Sequence, residues 1–199
     1  MKKEVKILGL SYSQSQSGSY VVVLSEKKGR RKLPIVIKSS DAQQIALKIE
    51  GVKSPRPLTH DLLKSINDSY GIDIQEVYIY AILEGIFYTK LVTSNGIEEV
   101  EIECTAGDGI AISIVFDCPL YVSKEVLDIS GVNVSDDGNN INNLEIEDID
   151  DYIEEEEIPK RVVSIEDLEH MIEDAIGNEE YEIAAEIRDR IEKLKKENN

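Results

Sequence analysis

The sequence predicts an α+β fold, in which a mixed or mainly antiparallel sheet is covered by helices and followed by a C-terminal αα-hairpin. Strand patterns joined by short turns cluster between residues 72 and 104, as is typical of antiparallel hairpins. Segments with helical spacing lie at 40–50, 59–70 and 108–116, so helices and strands share one domain. The chain then ends in two short amphipathic patterns, which predict the hairpin.

The net charge of −18 over 199 residues is unevenly distributed. Residues 1–132 are nearly neutral and are predicted to form one domain, residues 133–163 an acidic linker and residues 164–197 the hairpin. A nearly neutral domain is not expected to bind duplex DNA tightly, because such binding needs a stripe of basic residues.

The strands are predicted from alternating or continuous apolar patterns. Residues 20–24 are apolar and mostly β-branched, which favours a central strand. Pro34 lacks a backbone N–H, so the strand over 33–37 must hold it near the strand start or at a sheet edge. Further strands are predicted at 4–10, 72–83, 86–93, 97–104 and 119–122.

The helices are predicted from 3.6-residue apolar spacing and from capping residues. Ser39 or Ser40 should cap the first helix, and Thr59 should cap the second, because a hydroxyl there accepts from a free backbone N–H. The prolines before Thr59 hold a short extended arm. Ser123 should cap a short helix that ends at Gly131.

The hairpin is predicted from Ser164 and Asp167, which have the spacing of a capping box, and from two apolar stripes. Two short helices bury little surface alone, so the hairpin should pack against another copy of itself, another chain or the first domain. We expect a homo-oligomer and a protein partner that binds residues 164–197. The linker should let the hairpin adopt more than one orientation.

The strongest candidate for chemistry is the segment that contains Arg56, His60 and Asp61. An imidazole and a carboxylate adjoin at a predicted helix start, close to a guanidinium. Two interpretations stay open. The segment is either a site for chemistry, or a helix start where Asp61 offsets the helix dipole and His60 is merely exposed.

The sequence also bears on the cellular compartment. Cys104 and Cys118 form neither a disulfide framework nor a zinc motif. The first residues lack a signal-peptide pattern, and no apolar run approaches the ~18 residues of a membrane span. We therefore expect a cytoplasmic protein that does not bind a membrane.

Several motifs occur in a recognisable order. They are Leu-Pro-Ile-Val-Ile at 33–37, Asp-Ala-Gln-Gln-Ile-Ala at 41–46, Arg-Pro-Leu-Thr-His-Asp-Leu at 56–62, Phe-Tyr at 87–88, Asp-Gly-Ile-Ala at 108–111 and Pro-Leu-Tyr-Val at 119–122. Together they resemble the bifunctional nuclease domain family, also called DUF151. The run Tyr-Glu-Ile-Ala-Ala-Glu-Ile-Arg-Asp at 181–189 resembles the UVR motif, the helical hairpin of the UvrB and UvrC excision-repair proteins.

The resemblance implies a nuclease that hydrolyses phosphodiester bonds of DNA and RNA without reading sequence, through weak, non-specific contact with nucleic acid. The catalytic residues would be His60, Asp61 and Arg56, with His60 as general base or metal ligand and Arg56 as a phosphate clamp. Asp41, Asp61 and Asp108 would hold a divalent ion, Mg²⁺ or Mn²⁺. The UVR-like hairpin implies contact with a protein.

One segment departs from the family pattern. The family usually has Arg-Pro-Ser-Asp-Ala before its third helix, whereas residues 105–109 read Thr-Ala-Gly-Asp-Gly. This departure and the nearly neutral domain favour a second hypothesis, a non-catalytic adaptor or regulatory binding module that uses the same domain and hairpin. Convergence of Asp41, His60, Asp61 and Asp108 in one pocket would favour the nuclease.

Overall fold

A computed structural model describes residues 1–13, 18–133 and 163–197. The strands of these parts are β1 Lys2–Tyr12, β2 Ser19–Glu26, β3 Arg31–Lys38, β4 Asp73–Leu83, β5 Ile86–Ser94, β6 Glu99–Cys104, β7 Leu120–Ser123 and β8 Val132–Asn133. The helices are α1 Ser39–Ile49, α2 Thr59–Tyr70, α3 Ala106–Phe116, α4 Lys124–Ser130, α5 Ile165–Gly177 and α6 Tyr181–Glu197. None of these helices combines the length and apolar character needed to cross a bilayer. Most of the predicted linker lies outside the described residues, so its role as a spacer stays a prediction.

The strands form one sheet in the order β6-β5-β4-β7-β1-β2-β3-β8. Neighbouring strands are antiparallel except β4 and β7, which run parallel. A parallel pair needs a crossover connection, and α3 lies on the path that returns the chain from β6 to the middle of the sheet. The predicted α+β class is confirmed.

The first three strands bury one face because their apolar side chains alternate with polar or half-exposed ones. On β2, Tyr20, Val22 and Leu24 are completely buried. This strand pairs on both sides, with β1 and β3, so the central strand predicted at 20–24 is confirmed. β8 pairs with β3 only at the first two residues of β3. Pro34 therefore lies where β3 has no outer neighbour among the described strands, as a residue without an N–H requires.

β6 is an edge strand, and no strand of the described residues lies on its outer side. Successive residues of a strand point to opposite faces. Glu99, Glu101 and Glu103 therefore share one face of β6, whereas Val100 and Ile102 share the other. All five residues are exposed.

Two helices have N-caps that differ from the expected ones, although α2 spans 59–70 as predicted. α2 begins at Thr59 with Leu58 as its N-cap, and the Asp61 carboxylate accepts a hydrogen bond from the Leu58 N–H at 3.2 Å. The prediction that Thr59 caps this helix is wrong, because Asp61 satisfies a backbone donor at this end instead. α1 starts at Ser39 directly after β3, with Lys38 as N-cap and no side-chain cap bond. The predicted serine cap is therefore also wrong.

Three other helices have side-chain caps. Thr105 caps α3 by accepting from the backbone N–H of Asp108 at 3.2 Å, so α3 begins at Ala106, earlier than predicted. Ser123 caps α4 and Ser164 caps α5 as predicted, each accepting from the backbone N–H three residues further on. Caps of this kind typically contribute about 0.5–2 kcal/mol each.

The C-terminal hairpin packs against the first domain of the same chain. α5 contacts α6, α1 and β1. Apolar side chains of this region join the main hydrophobic core, and the buried members are Val163, Leu168, Met171, Ile183, Ile187, Ile191 and Leu194. Of the three packing partners that the sequence left open, the structure shows the first domain. Full burial of a large apolar side chain contributes about 1.5–3 kcal/mol, so this interface stabilises the packed orientation. That the hairpin adopts more than one orientation stays a prediction.

Hydrogen bonds attach the hairpin to both ends of α1. The Asp174 carboxylate accepts from the Tyr20 hydroxyl at 2.9 Å and from the Ser39 hydroxyl at 3.1 Å. At the other end, Arg190 donates two hydrogen bonds to Glu50, at 3.0 and 2.9 Å. Burial, followed by the bond to Asp174, raises the pKa of Tyr20, so this phenol remains a neutral donor. The orientation of α1 is therefore tied to the hairpin.

We expect Asp174→Ala to lower the free energy of unfolding by about 1–3 kcal/mol, because the buried Tyr20 hydroxyl would lose its partner. Urea denaturation measures this change. Glu173→Ala is the matched control, since the neighbouring side chain is 82% exposed, and it should shift stability by less than about 0.5 kcal/mol. Equal losses in the two variants would contradict the role given to Asp174.

Candidate metal centre

Two acidic side chains and a histidine meet where three helices begin. Asp41 of α1, His60 of α2 and Asp108 of α3 each offer a ligand atom, and these atoms lie within 4.8 Å of one another. Nε2 of His60 is 3.6 Å from Oδ1 of Asp108. Among the described residues, 1–13, 18–133 and 163–197, it is the one cluster of three or more acidic, histidine or cysteine side chains whose ligand atoms lie close enough together to hold a metal ion.

The position of the group follows from how the helices start. Each of the three residues lies in the first turn of its helix, where free backbone N–H groups and the helix dipole create a positive field. Such a field favours a carboxylate or an anionic ligand. α1 follows β3 directly, and only Thr105 separates β6 from α3. The sheet therefore determines where both acid-bearing helices begin.

Asp41 is almost inaccessible, with 2% of its surface exposed. Burial first, and then the negative charge of Asp108, raises the pKa of Asp41. Lys38, then Ser40 and then His60 oppose this shift. Nζ of Lys38 lies 3.7 Å from Oδ1 of Asp41 and 3.8 Å from Oδ1 of Asp108, and the Ser40 hydroxyl donates to Asp41 at 3.1 Å. One ammonium thus faces two carboxylates and balances only one of their two negative charges. A second cation would balance the other.

The hydroxyl of Thr105 holds Asp108 in place. It donates to Oδ2 of Asp108 at 2.7 Å and accepts from the Asp108 backbone N–H at 3.2 Å. The other oxygen, Oδ1, is the one near His60 and Lys38. The side chain of Asp108 is 34% exposed, whereas that of His60 is 10% exposed. The group therefore opens to solvent at Asp108.

Gly107 allows α1 and α3 to approach each other. A Cβ at this position would lie 2.2 Å from Oδ2 of Asp41, so any other residue would push the carboxylate away. Sequence reasoning missed the contact, although a glycine in the first turn of a helix is itself a signal, because glycine costs helix stability. It also missed Lys38, for which the sequence holds no signal.

Asp61 and Arg56 lie elsewhere. Oδ1 of Asp61 is 2.8 Å from Nζ of Lys48, and its Oδ2 accepts from Leu58. Burial alone would raise the pKa of Asp61, but hydrogen bonds from Lys48 and from the Leu58 N–H outweigh it and lower the pKa. Arg56 is 85% exposed and lies 3.9 Å from Glu182 of α6. Three of the four residues expected to converge therefore do so, and Asp61 serves the helix start.

We expect Gly107→Ala and Asp41→Ala to be energetically coupled. In the wild-type protein the added methyl group displaces the buried carboxylate. In the Asp41→Ala background the clash with the carboxylate is gone. The tight contact of the new Cβ with Cγ2 of Ile37, at 3.3 Å, and the better helix propensity of alanine, about 0.5–1 kcal/mol, remain. A double-mutant cycle by urea denaturation should give a coupling of about 0.5–3 kcal/mol. Additive effects would show that the two residues do not touch.

Cys104 reports on the charge of Asp108. Burial first, and then that charge, raises the pKa of Cys104 from 9.0 to about 11. Because the thiolate is the reactive form, alkylation at pH 8 should be about 100-fold slower than for an ordinary cysteine. Asp108→Asn should speed this reaction, as mass spectrometry can measure. Cys118, whose pKa burial also raises to about 11 without help from Asp108, is the internal control. An unchanged rate at Cys104 would contradict the assignment.

Comparison with known proteins agrees with the motifs. Residues 22–135 match the family model described as Bifunctional nuclease domain, and residues 163–197 match the UvrB/uvrC motif. Two relatives are the uncharacterized proteins MT1877 and Rv1829 from two strains of Mycobacterium tuberculosis, each 37% identical over 134 residues. The aligned region covers 67% of this chain and 79% of each relative. The resemblance stated from the motifs is confirmed, and the chain belongs to the bifunctional nuclease domain family, with a UvrB/uvrC motif after the domain.

Proposed function

We propose that this protein is a metal-dependent nuclease that hydrolyses phosphodiester bonds of DNA or RNA without sequence specificity. The observation that carries the proposal is the convergence of Asp41, His60 and Asp108 from three helices, with ligand atoms within 4.8 Å of one another. Membership of the bifunctional nuclease domain family supports the same reaction class.

The donor set fits a divalent cation. The two carboxylates suit both Mn²⁺ and Mg²⁺, whereas the imidazole counts against Mg²⁺, which usually binds carboxylates, phosphates and water. Burial, and then the charge of Asp108, raises the pKa of Asp41, so ionising this carboxyl is costly. A cation between the carboxylates would relieve that cost. We therefore propose Mn²⁺ before Mg²⁺.

The side chains divide the work of hydrolysis. When bound, the cation would polarise a phosphoryl oxygen and favour deprotonation of a water molecule. Asp41 and Asp108 would hold the cation, and Thr105 orients Asp108 through its hydroxyl. Lys38 lies within 4 Å of both carboxylates, and its positive charge would stabilise the negative charge that develops on a phosphate bound beside them. The substrate approaches from the side of Asp108, where the group is open.

His60 has two possible roles, and they exclude each other at one nitrogen. As a ligand, Nε2 donates its lone pair to the cation. As a general base, the same atom accepts a proton from the attacking water. A ligand role predicts that His60→Gln weakens cation binding, whereas a base role predicts normal binding with slow cleavage.

A second function is favoured by one observation. Lys38 contacts both carboxylates, at 3.7 and 3.8 Å, and such an ion network can stabilise a non-catalytic binding module without a cation. The partner would reach the hairpin from outside, because its apolar stripe is buried against the domain. Ile176 and Tyr181, 50% and 64% exposed at the hairpin turn, are the apolar residues available there.

Cleavage of single-stranded DNA and RNA should require Mn²⁺ or Mg²⁺ and stop in EDTA. Asp41→Asn and Asp108→Asn should each lower the rate about 100-fold or more, because each removes a cation ligand. Asp68→Asn is the matched control, since Asp68 lies exposed on α2 and should leave the rate unchanged. Cleavage that persists in EDTA, or that all three variants retain, would rule out the proposed centre.

Cation binding can be measured without activity. Mn²⁺ at 100 times its dissociation constant should stabilise the wild-type protein by about 2.7 kcal/mol, and a thermal shift assay detects this. Asp41→Asn should abolish the shift and Asp68→Asn should retain it. Equal shifts in both variants would favour the non-catalytic module.

A further inference from the structure

A cleft of about 320 Å³ lies between the end of α1, the extended arm and the start of α2. Three cationic side chains line it, and they are Lys48, Lys53 and Arg56. Ser54, Ser65 and Asp61 also line it, and the Ser65 hydroxyl already donates to the backbone carbonyl of Asp61 at 3.0 Å. A concave site with three cations and one acidic residue has a net positive charge, which suits an anion such as a phosphodiester.

The three cations differ in how far they are already neutralised. Lys48 is 2.8 Å from Asp61, so its charge is largely satisfied. Lys53 has no carboxylate partner within the described residues. Arg56 has one contact, at 3.9 Å to Glu182, and both side chains are mostly exposed, at 85% and 67%. Lys53 and Arg56 are therefore the cations free to bind a ligand.

The cleft adjoins the candidate metal centre. Gln44, in its wall, lies three residues beyond Asp41 on α1, and Asp61, also in its wall, follows His60 on α2. Three helical residues rise about 4.5 Å. A nucleic-acid strand with one phosphate at the centre could therefore place a neighbouring phosphate in the cleft.

We propose that this cleft binds a phosphodiester group of the substrate strand, next to the group held at the metal centre. This proposal rests on the proposed nuclease function. It adds that the nucleic-acid strand runs from the metal centre into the cleft. Arg56 binds the phosphate through its planar guanidinium, which matches two oxygens at once. Lys53 supplies a second positive charge.

Glu182 of the hairpin competes with the phosphate for Arg56. Ion pairs between exposed side chains contribute little, and this one is long, so a phosphate displaces it readily. The hairpin thereby reduces affinity for the strand modestly without blocking the cleft.

Fluorescence anisotropy with a labelled ten-nucleotide oligothymidylate tests the proposal on the full chain, in EDTA and low salt so that no cleavage occurs. The double variant Lys53→Gln, Arg56→Gln should bind about tenfold or more weakly, and its salt dependence should fall by about 0.7 per lost contact. The control Lys6→Gln, Lys28→Gln removes the same charge from exposed residues outside the cleft and should bind nearly normally. Glu182→Gln should tighten binding about two- to fivefold.

Equal weakening in both double variants, or no binding by the wild-type protein, would overturn the cleft. Inorganic phosphate that displaces the oligonucleotide at an equal phosphate concentration would show a site for a lone anion, and would overturn binding of a strand. The proposed nuclease function is tested by a separate experiment. Asp41→Asn that still cleaves in Mn²⁺ would remove the metal centre, whereas the anisotropy result does not depend on cleavage.

Discussion

The arrangement of the candidate centre depends on the close approach of α1 and α3 at Gly107. The Asp41 carboxylate occupies the space that a side chain at this position would need. That approach brings Asp41, which is buried, close to Asp108, which is partly exposed. The two carboxylates repel each other, and Lys38 only partly offsets that repulsion. The same helix, α3, returns the chain to the middle of the sheet, so the connection that completes the fold also delivers Asp108.

The sequence predicts local structure well here because local patterns determine it. Apolar periodicity located the helices and strands, and hydroxyl caps at Ser123 and Ser164 were found where expected. The cap of α2 was wrong because Thr59 and Asp61 both offered oxygen atoms. Only the path of the preceding arm decides which oxygen meets a free N–H.

In the candidate site, too, the residues that the sequence predicted differ from those that only the structure reveals. Asp41, His60 and Asp108 were named from family motifs, and the structure brings them together. Asp61 was named with them, yet it faces Lys48, because neighbouring residues on a helix point in directions about 100° apart. Lys38 and Gly107 contribute through contacts between distant parts of the chain, which no local pattern records.

The glutamates of β6 limit how two copies of this protein can associate. An edge strand with free backbone groups invites pairing with the same strand of a second molecule. In an antiparallel pair, residues on the same face lie opposite one another. Glu99, Glu101 and Glu103 would then lie opposite glutamates of the second copy. Lys90 already pairs with Glu101 at 2.7 Å, so the repulsion falls mainly on Glu99 and Glu103. It disfavours a sheet that continues from one copy into the next through β6.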